Sequence, residues 1–188
     1  MANRNSNNEP AKVPDSFWGN IFRKKNTTPE EDVITTLRLI PLFADMTKQE
    51  LREFQKIMHR RVFKGNEPIF WEGEPGVGMY IVKSGSVGIY KITPDQEKEE
   101  IAILQAGEFF GELALLDESP RSATCISREK SEIIGLFRPD LFSLLDRKPR
   151  LGNKFLFKLA TVIGDRLKHT NKELHTLRSK LEQSEIIV

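Results

Sequence analysis

The residues whose types and spacing best suit binding chemistry lie in the segment 107–124. Gly107 and Gly111 mark a turn that leads into a helix-forming run beginning at about Leu113. A helix that begins at such a turn presents free backbone amides and a positive dipole end, both of which favour an anion. Arg121 follows this run, and a guanidinium can donate two parallel hydrogen bonds to a phosphate. The segment is therefore a candidate anion site.

Two neighbouring side chains extend the chemistry of this segment. Ser122 adds a hydroxyl donor beside Arg121, whereas the carboxylate of Glu112 would repel a phosphate and suits a sugar hydroxyl. From the residues alone, simpler interpretations stay open. Glu112 can be a surface carboxylate at a helix N-terminus. Arg121 can pair with Asp117 or Glu118.

The chain shows no arrangement of residues typical of catalysis. Its three histidines, His59, His169 and His175, are scattered without the spacing of metal ligands. Neither a serine nor the single cysteine, Cys125, has an identifiable activating base. We therefore expect a protein that is not an enzyme and that carries neither a metal nor a cofactor.

Composition indicates a soluble protein. The 188 residues are 38% apolar and 30% charged, which is ordinary for a globular chain. The sequence has neither an apolar stretch of signal-peptide length near Met1 nor the run of about 20 apolar residues that would cross a membrane. A single cysteine excludes an intramolecular disulfide and fits a reducing compartment. We expect a cytoplasmic location and no membrane span.

Three segments are expected from changes along the chain. Residues 1–32, rich in proline and asparagine, are predicted to form a flexible arm whose apolar island (17–22, Phe-Trp-Gly-Asn-Ile-Phe) can dock on a partner or on the domain itself. Residues 33–146 form the predicted globular domain. Residues 147–188 form the predicted long helix, with ten basic and four acidic residues. This charge can attract nucleic acid or an acidic partner, although a solvated helix face is the preferred interpretation.

Short β-rich runs separated by turn residues fill the middle of the chain. They are 61–63, 69–71, 79–82, 87–90, 101–104, 123–126 and 132–137. Eight of the twelve glycines lie between Gly65 and Gly111, where turns need them. Residues 84–86 (Ser-Gly-Ser) predict a tight hairpin. The sequence thus predicts a mainly β fold, a sandwich, barrel or jelly roll, with flanking helices.

Helical patterns bracket these runs. Thr47 and Glu50 have the spacing of a capping box, and an amphipathic helix follows them. Pro139 suits the first turn of a short helix, and Pro149 the start of a much longer one. Steps of three and four then give a heptad register: Ala160, Ile163, Leu167, Thr170, Leu174, Leu177, Leu181, Ser184 and Val188. Parallel self-pairing into a homodimer is favoured over packing on the barrel alone.

Segments 110–116 and 120–124 together closely resemble the phosphate-binding cassette of cyclic-nucleotide-binding domains. This family includes the bacterial catabolite activators, regulatory subunits of cAMP-dependent kinase and cyclic-nucleotide-gated channels. The resemblance extends over about 39–174 and includes the glycine-punctuated runs 69–74 and 79–85. It implies a jelly roll, or double-stranded β-helix, of about eight antiparallel strands plus a long C-terminal helix.

The resemblance also implies a role for each matching residue of the cassette. Glu112 would accept a hydrogen bond from the ribose 2′-hydroxyl, with Gly111 and Leu113 offering backbone contacts around the sugar. Arg121 would pair with the cyclic phosphate, and Ser122 and the amide of Ala123 would help it. These positions match the family motif as they stand in this sequence.

The base is expected to be read from the long helix. Aligning 165–171 with the corresponding helix of the catabolite activators places Thr170 and Asn171 where that family has two residues that bond adenine. This favours cAMP over cGMP as the ligand, with adenine contacted at the dimer interface.

The expected output is a change in dimer or partner contacts through the helix. The sequence lacks the helix-turn-helix that follows this helix in the catabolite activators, so we expect a stand-alone sensor with an unidentified protein effector. Two alternatives remain: a ligand-independent scaffold with a vestigial cassette, or, less favoured, nucleic-acid binding through the basic helix. A cupin-like enzyme would need metal-spaced histidines, which are absent from the sequence.

Overall fold

The computed structural model describes residues 29–93, 95 and 97–185. The elements in this part of the chain are α1 (Pro29–Leu39), α2 (Lys48–Gln55), β1 (Met58–Phe63), β2 (Pro68–Phe70), β3 (Gly78–Ser84), β4 (Ser86–Ile92), β5 (Lys98–Gln105), β6 (Phe109–Phe110), β7 (Thr124–Ser127), β8 (Ser131–Phe137), α3 (Arg138–Arg147) and α4 (Pro149–Glu185). The predicted arm 1–28, with its aromatic island at 17–22, lies outside the described residues.

Eight antiparallel strands form two four-stranded sheets. The first sheet has the order β1-β8-β3-β6 and the second the order β2-β7-β4-β5, so each sheet mixes strands from both ends of the domain. The predicted jelly roll of about eight strands with flanking helices and a long C-terminal helix is confirmed. The short strand β6 had no counterpart among the β-rich runs of the sequence.

The hairpin predicted at residues 84–86 is wrong. β3 and β4 lie in different sheets: β3 pairs with β6 and β8, whereas β4 pairs with β5 and β7. Gly85 has a φ of 82°, and a Cβ there would lie 2.3 Å from Ser131 Oγ and 2.8 Å from the Lys130 carbonyl oxygen. Glycine is needed because the chain passes from one sheet to the other in close contact with the β7–β8 turn.

The hydrophobic core has two parts. The first lies between the helices and the first sheet, where the rings of Phe43, Phe54 and Phe155 contact one another with centroids 4.9–5.6 Å apart. The second fills the space between the sheets and includes Phe70 and Phe110. The capping box is confirmed, since the Thr47 hydroxyl accepts a hydrogen bond from the Glu50 amide and the Glu50 carboxylate from the Thr47 amide.

Helix α1 packs on this core. Val33, Ile34 and Leu37 are buried, and the carboxylate of Asp32 forms an ion pair with Lys83 of β3. The helix begins at Pro29. The expected boundary between arm and domain, after residue 32, therefore falls inside a docked helix.

Helix α4 begins at Pro149, as the sequence predicts, and its 37 residues extend for about 55 Å. Phe155 and Leu159 of its first half are buried in the core. Steps of four residues carry the same face onward to Ile163 and Leu167. Beyond the domain this face presents an exposed leucine stripe: Leu167, Leu174, Leu177 and Leu181.

Candidate functional site

A cavity of about 580 Å³ lies between the segment 110–124, hereafter the cassette, and the second sheet. Its volume falls in the usual range for small-molecule sites, about 300–1,000 Å³. The sheet side is largely apolar, with Phe70, Ile89, Leu104 and Cys125. The cassette supplies the polar wall, and α4 contributes one side chain, Arg166.

The backbone of the cassette depends on Gly111. This residue has φ 70° and ψ 18°, and it precedes the short helix expected from the sequence, which is a 3₁₀ helix, Glu112–Leu115. A Cβ at Gly111 would lie 2.7 Å from Nη1 of Arg121. Glycine therefore meets two requirements here, a left-handed backbone and the close approach of a guanidinium.

Arg121 is the buried cation of the cavity wall. It is 6% exposed, Nη2 donates a hydrogen bond to the Gly78 carbonyl at 2.8 Å, and Nη1 donates to the Gly111 carbonyl at 3.2 Å. Its guanidinium carbon lies 4.1 Å from the ring centroid of Phe70 and 5.5 Å from that of Tyr80. Loss of solvent lowers the pKa of the guanidinium below its ordinary value.

Arg121 lacks an anionic partner within the described chain. None of the ion pairs among the described residues includes it, and its Nε is buried without a hydrogen-bond acceptor. The alternative pairing with Asp117 or Glu118 is wrong: Asp117 accepts from Ser119, and Glu118 pairs with Arg138. A buried guanidinium without a counter-ion is suited to an anionic ligand.

Glu112 is also buried, at 7% exposure, which excludes the interpretation as a surface carboxylate. Its Oε1 accepts a hydrogen bond from Nη1 of Arg166 at 2.8 Å. Nη2 of Arg166 donates to the Phe109 carbonyl at 3.0 Å, and the guanidinium lies over the Phe109 ring at 4.4 Å. A single arginine thus connects α4 to the carboxylate of the cassette.

The structure brings six of the eight predicted site residues to the cavity wall. They are Gly111, Glu112, Leu113, Arg121, Ser122 and Ala123. Thr170 and Asn171 lie instead on the exposed part of α4, outside the cavity lining.

Sequence reasoning missed Arg166, although a signal was present. Arg166 lies in the same aligned helical stretch as Thr170, four residues earlier and therefore on the same helix face.

Nothing in the part of the chain that the structure describes suggests a metal centre. No group of three or more histidine, cysteine, aspartate or glutamate side chains there is arranged to hold an ion. None of the helices among residues 29–93, 95 and 97–185 is long and apolar enough to cross a membrane.

Comparison with known proteins identifies similar molecules. Residues 60–148 match the family model of the Cyclic nucleotide-binding domain. The chain is 34% identical, over 137 residues, to the Cyclic AMP receptor protein of Thermus thermophilus. It matches the crystal structure of the Thermus thermophilus Catabolite Activator Protein with a TM-score of 0.66. It also matches the regulatory domain of Toxoplasma gondii PKA, solved with cAMP, with 28% identity and a TM-score of 0.58.

These matches cover only part of each molecule. The Thermus alignment spans 73% of this chain and 62% of that protein, and the Toxoplasma match covers 64% of this chain and 46% of that one. The chain therefore spans less than two thirds of the length of these relatives, and the similarity concerns the ligand-binding domain rather than whole proteins.

Burial of Cys125 in the cavity wall makes stability depend on pH in the alkaline range. Loss of solvent raises the pKa of its thiol to about 12, from an ordinary value of 9.0. Between these values the unfolded thiol ionises while the folded thiol stays protonated, so stability present below pH 9 is lost as pH rises. We expect the wild type to lose about 2 kcal/mol relative to Cys125→Val between about pH 7.5 and pH 10.5. Urea unfolding of both proteins measures this, and equal pH dependence would contradict it.

Proposed function

Because residues 60–148 belong to the cyclic nucleotide-binding domain family, we propose that the cavity binds a cyclic nucleoside monophosphate, cAMP in preference to cGMP. The observation that carries this proposal is Arg121, a buried cation facing the cavity with no carboxylate partner among the described residues. A cyclic phosphate supplies the missing negative charge and can accept hydrogen bonds from the guanidinium. Ser122 and the amide of Ala123, both at the cavity wall, would add donors.

The carboxylate of Glu112 supports the ribose half of the proposal. A carboxylate can only accept hydrogen bonds, and the ribose 2′-hydroxyl donates one. Arg166 already uses Oε1 of Glu112, which leaves the second carboxylate oxygen for the sugar.

The base contact is proposed for Thr170 and Asn171. Thr170 lies on the same face of α4 as Arg166, one turn further from the cavity. Both residues lie outside the cavity lining, so this contact requires α4 to move toward the cavity until the hydroxyl and the amide reach the adenine edge. This assignment favours cAMP and makes α4 a lid.

The output of the domain is proposed to be a change in contacts made by α4, with no catalytic step. The exposed leucine stripe is suited to pairing with α4 of a second copy. A protein effector would then bind the paired helices. A ligand that binds Glu112 would change the salt bridge between Glu112 of the cassette and Arg166 of α4. Binding and helix pairing are then coupled reciprocally.

The proposed phosphate contact can be tested by substitution of Arg121. Arg121→Lys keeps the charge but loses the planar fork that bonds both carbonyls and the ligand. We expect its affinity for cAMP, measured by calorimetry, to fall by about 10- to 100-fold. Arg128→Lys is the matched control, since Arg128 lies after β7 and pairs with Glu100 away from the cavity. Unchanged affinity in Arg121→Lys would remove Arg121 from the site, and a wild type that binds no cyclic nucleotide would favour the scaffold alternative.

Self-association through the leucine stripe can be tested in solution. We expect a sedimentation mass of about twice 21.6 kDa for the wild type at micromolar concentration, because the leucine stripe is apolar and exposed. Leu177→Glu should halve this mass. Thr176→Glu places the same charge on the other side of the helix and should leave it unchanged. A wild-type mass of 21.6 kDa would contradict the dimer.

A further inference from the structure

We propose that Phe70 is a positioning residue that holds the guanidinium of Arg121 against an aromatic face and so keeps its full charge available to an anionic ligand. The proposal rests on the assignment of Arg121 as the phosphate contact. It assigns to the cavity a second determinant of anion binding, on β2 and outside the cassette.

The geometry is that of a cation over a ring. The guanidinium carbon of Arg121 lies 4.1 Å from the centroid of Phe70, well within the range of about 6 Å for cation–π attraction. Tyr80 provides a second, more distant ring at 5.5 Å. Phe70 is itself buried, and it also lines the cavity, so its ring lies between the core and the ligand space.

The Phe70 ring is important because Arg121 forms no ion pair with a carboxylate among the described residues. Its guanidinium donates hydrogen bonds to the carbonyls of Gly78 and Gly111, and it lies over the rings of Phe70 and Tyr80. These partners are uncharged, and the carboxylate of Glu74, which stabilises the cation from further away, accepts a hydrogen bond from the Trp71 amide. A carboxylate in the same place would stabilise the guanidinium but would also cancel the charge that attracts the ligand. An aromatic face attracts the cation without placing a further negative charge beside it.

Strand pairing and ring contacts hold Phe70 in place beneath Arg121. Its backbone in β2 pairs with Cys125 in β7, in the second sheet. Its ring contacts the rings of Tyr80 and Phe110, which belong to the first sheet, at 5.6 and 5.8 Å, and those two rings stack at 5.5 Å. The platform beneath Arg121 therefore joins both sheets and is fixed by packing in the core.

A positioning role predicts that Phe70 affects the phosphate half of a nucleotide and not the nucleoside half. The variant to test is Phe70→Leu, which keeps apolar volume and removes the ring. We expect its affinity for cAMP to fall by about 3- to 30-fold, while its affinity for adenosine, which lacks phosphate, changes by less than about twofold. Phe70→Tyr retains the ring face and should restore the affinity for cAMP.

Phe137→Leu is the matched control for loss of an aromatic side chain from the same cluster. Phe137 meets Tyr80 edge-on at 6.2 Å, and it neither lines the cavity nor lies over a guanidinium. We expect this variant to keep the wild-type ratio of cAMP to adenosine affinity. Urea unfolding of each variant reports its loss of packing separately.

A measurement without nucleotide tests the positioning directly. In the wild type the Nε–H proton resonance of Arg121, assigned by its absence from Arg121→Lys, should be displaced upfield by the Phe70 ring, and Phe70→Leu should return it to an ordinary position. If this resonance does not respond to Phe70→Leu, the proposal is overturned whether or not cAMP binds.

The two proposals fail in different ways. A wild type that binds neither cAMP nor cGMP overturns the proposed function, and the proton resonance then decides on its own whether Phe70 positions Arg121. A wild type that binds cAMP, together with a Phe70→Leu variant that weakens cAMP and adenosine equally, overturns the positioning role and leaves the function in place.

Discussion

Taking a guanidinium out of water costs several kcal/mol unless its N–H groups find acceptors and its charge is stabilised. Much of the cavity wall supplies these interactions to Arg121. Two backbone carbonyls accept from it, and both belong to glycines. At Gly78 a Cβ would lie 2.3 Å from the Leu136 carbonyl oxygen, and at Gly111 a Cβ would meet the guanidinium itself. The glycines, the rings beneath Arg121 and the left-handed start of the cassette are parts of one arrangement that buries a positive charge without neutralising it.

The salt bridge between Glu112 and Arg166 connects the cassette to α4. Arg166 of α4 holds Glu112, and the first half of α4 is anchored in the helical core by Phe155 and Leu159. The second half leaves the domain and carries the leucine stripe on the same face. A change at Glu112 therefore acts at the point where α4 passes from buried to exposed. Under the proposed function, this position lets a small ligand influence contacts made tens of ångströms away, with Arg166 as the physical link.

Local patterns in the chain predict some parts of this structure, and tertiary contacts decide the rest. Most of the strands and the long helix were predictable because apolar alternation and helical periodicity are local signals, whereas the cassette was identified by its resemblance to a known family motif. The hairpin at residues 84–86 was wrong because the same turn residues serve a tight hairpin and a crossing between sheets, and only the pairing of β3 with β8 and β4 with β5 distinguishes them. Arg166 and Phe70 were missed because their roles depend on where α4 and β2 pass the cavity. That is a property of the tertiary structure.

The central claim is that one wall of the cavity recognises a cyclic phosphate through Arg121 and a ribose hydroxyl through Glu112. Calorimetric titration of the wild-type protein with cAMP and with 2′-deoxy-cAMP tests it most directly, because the two ligands differ only in the group assigned to Glu112. We expect cAMP to bind about 10- to 100-fold more tightly, since the deoxy ligand leaves a buried carboxylate oxygen without its donor. Equal affinities, or no binding of either ligand, would contradict the claim.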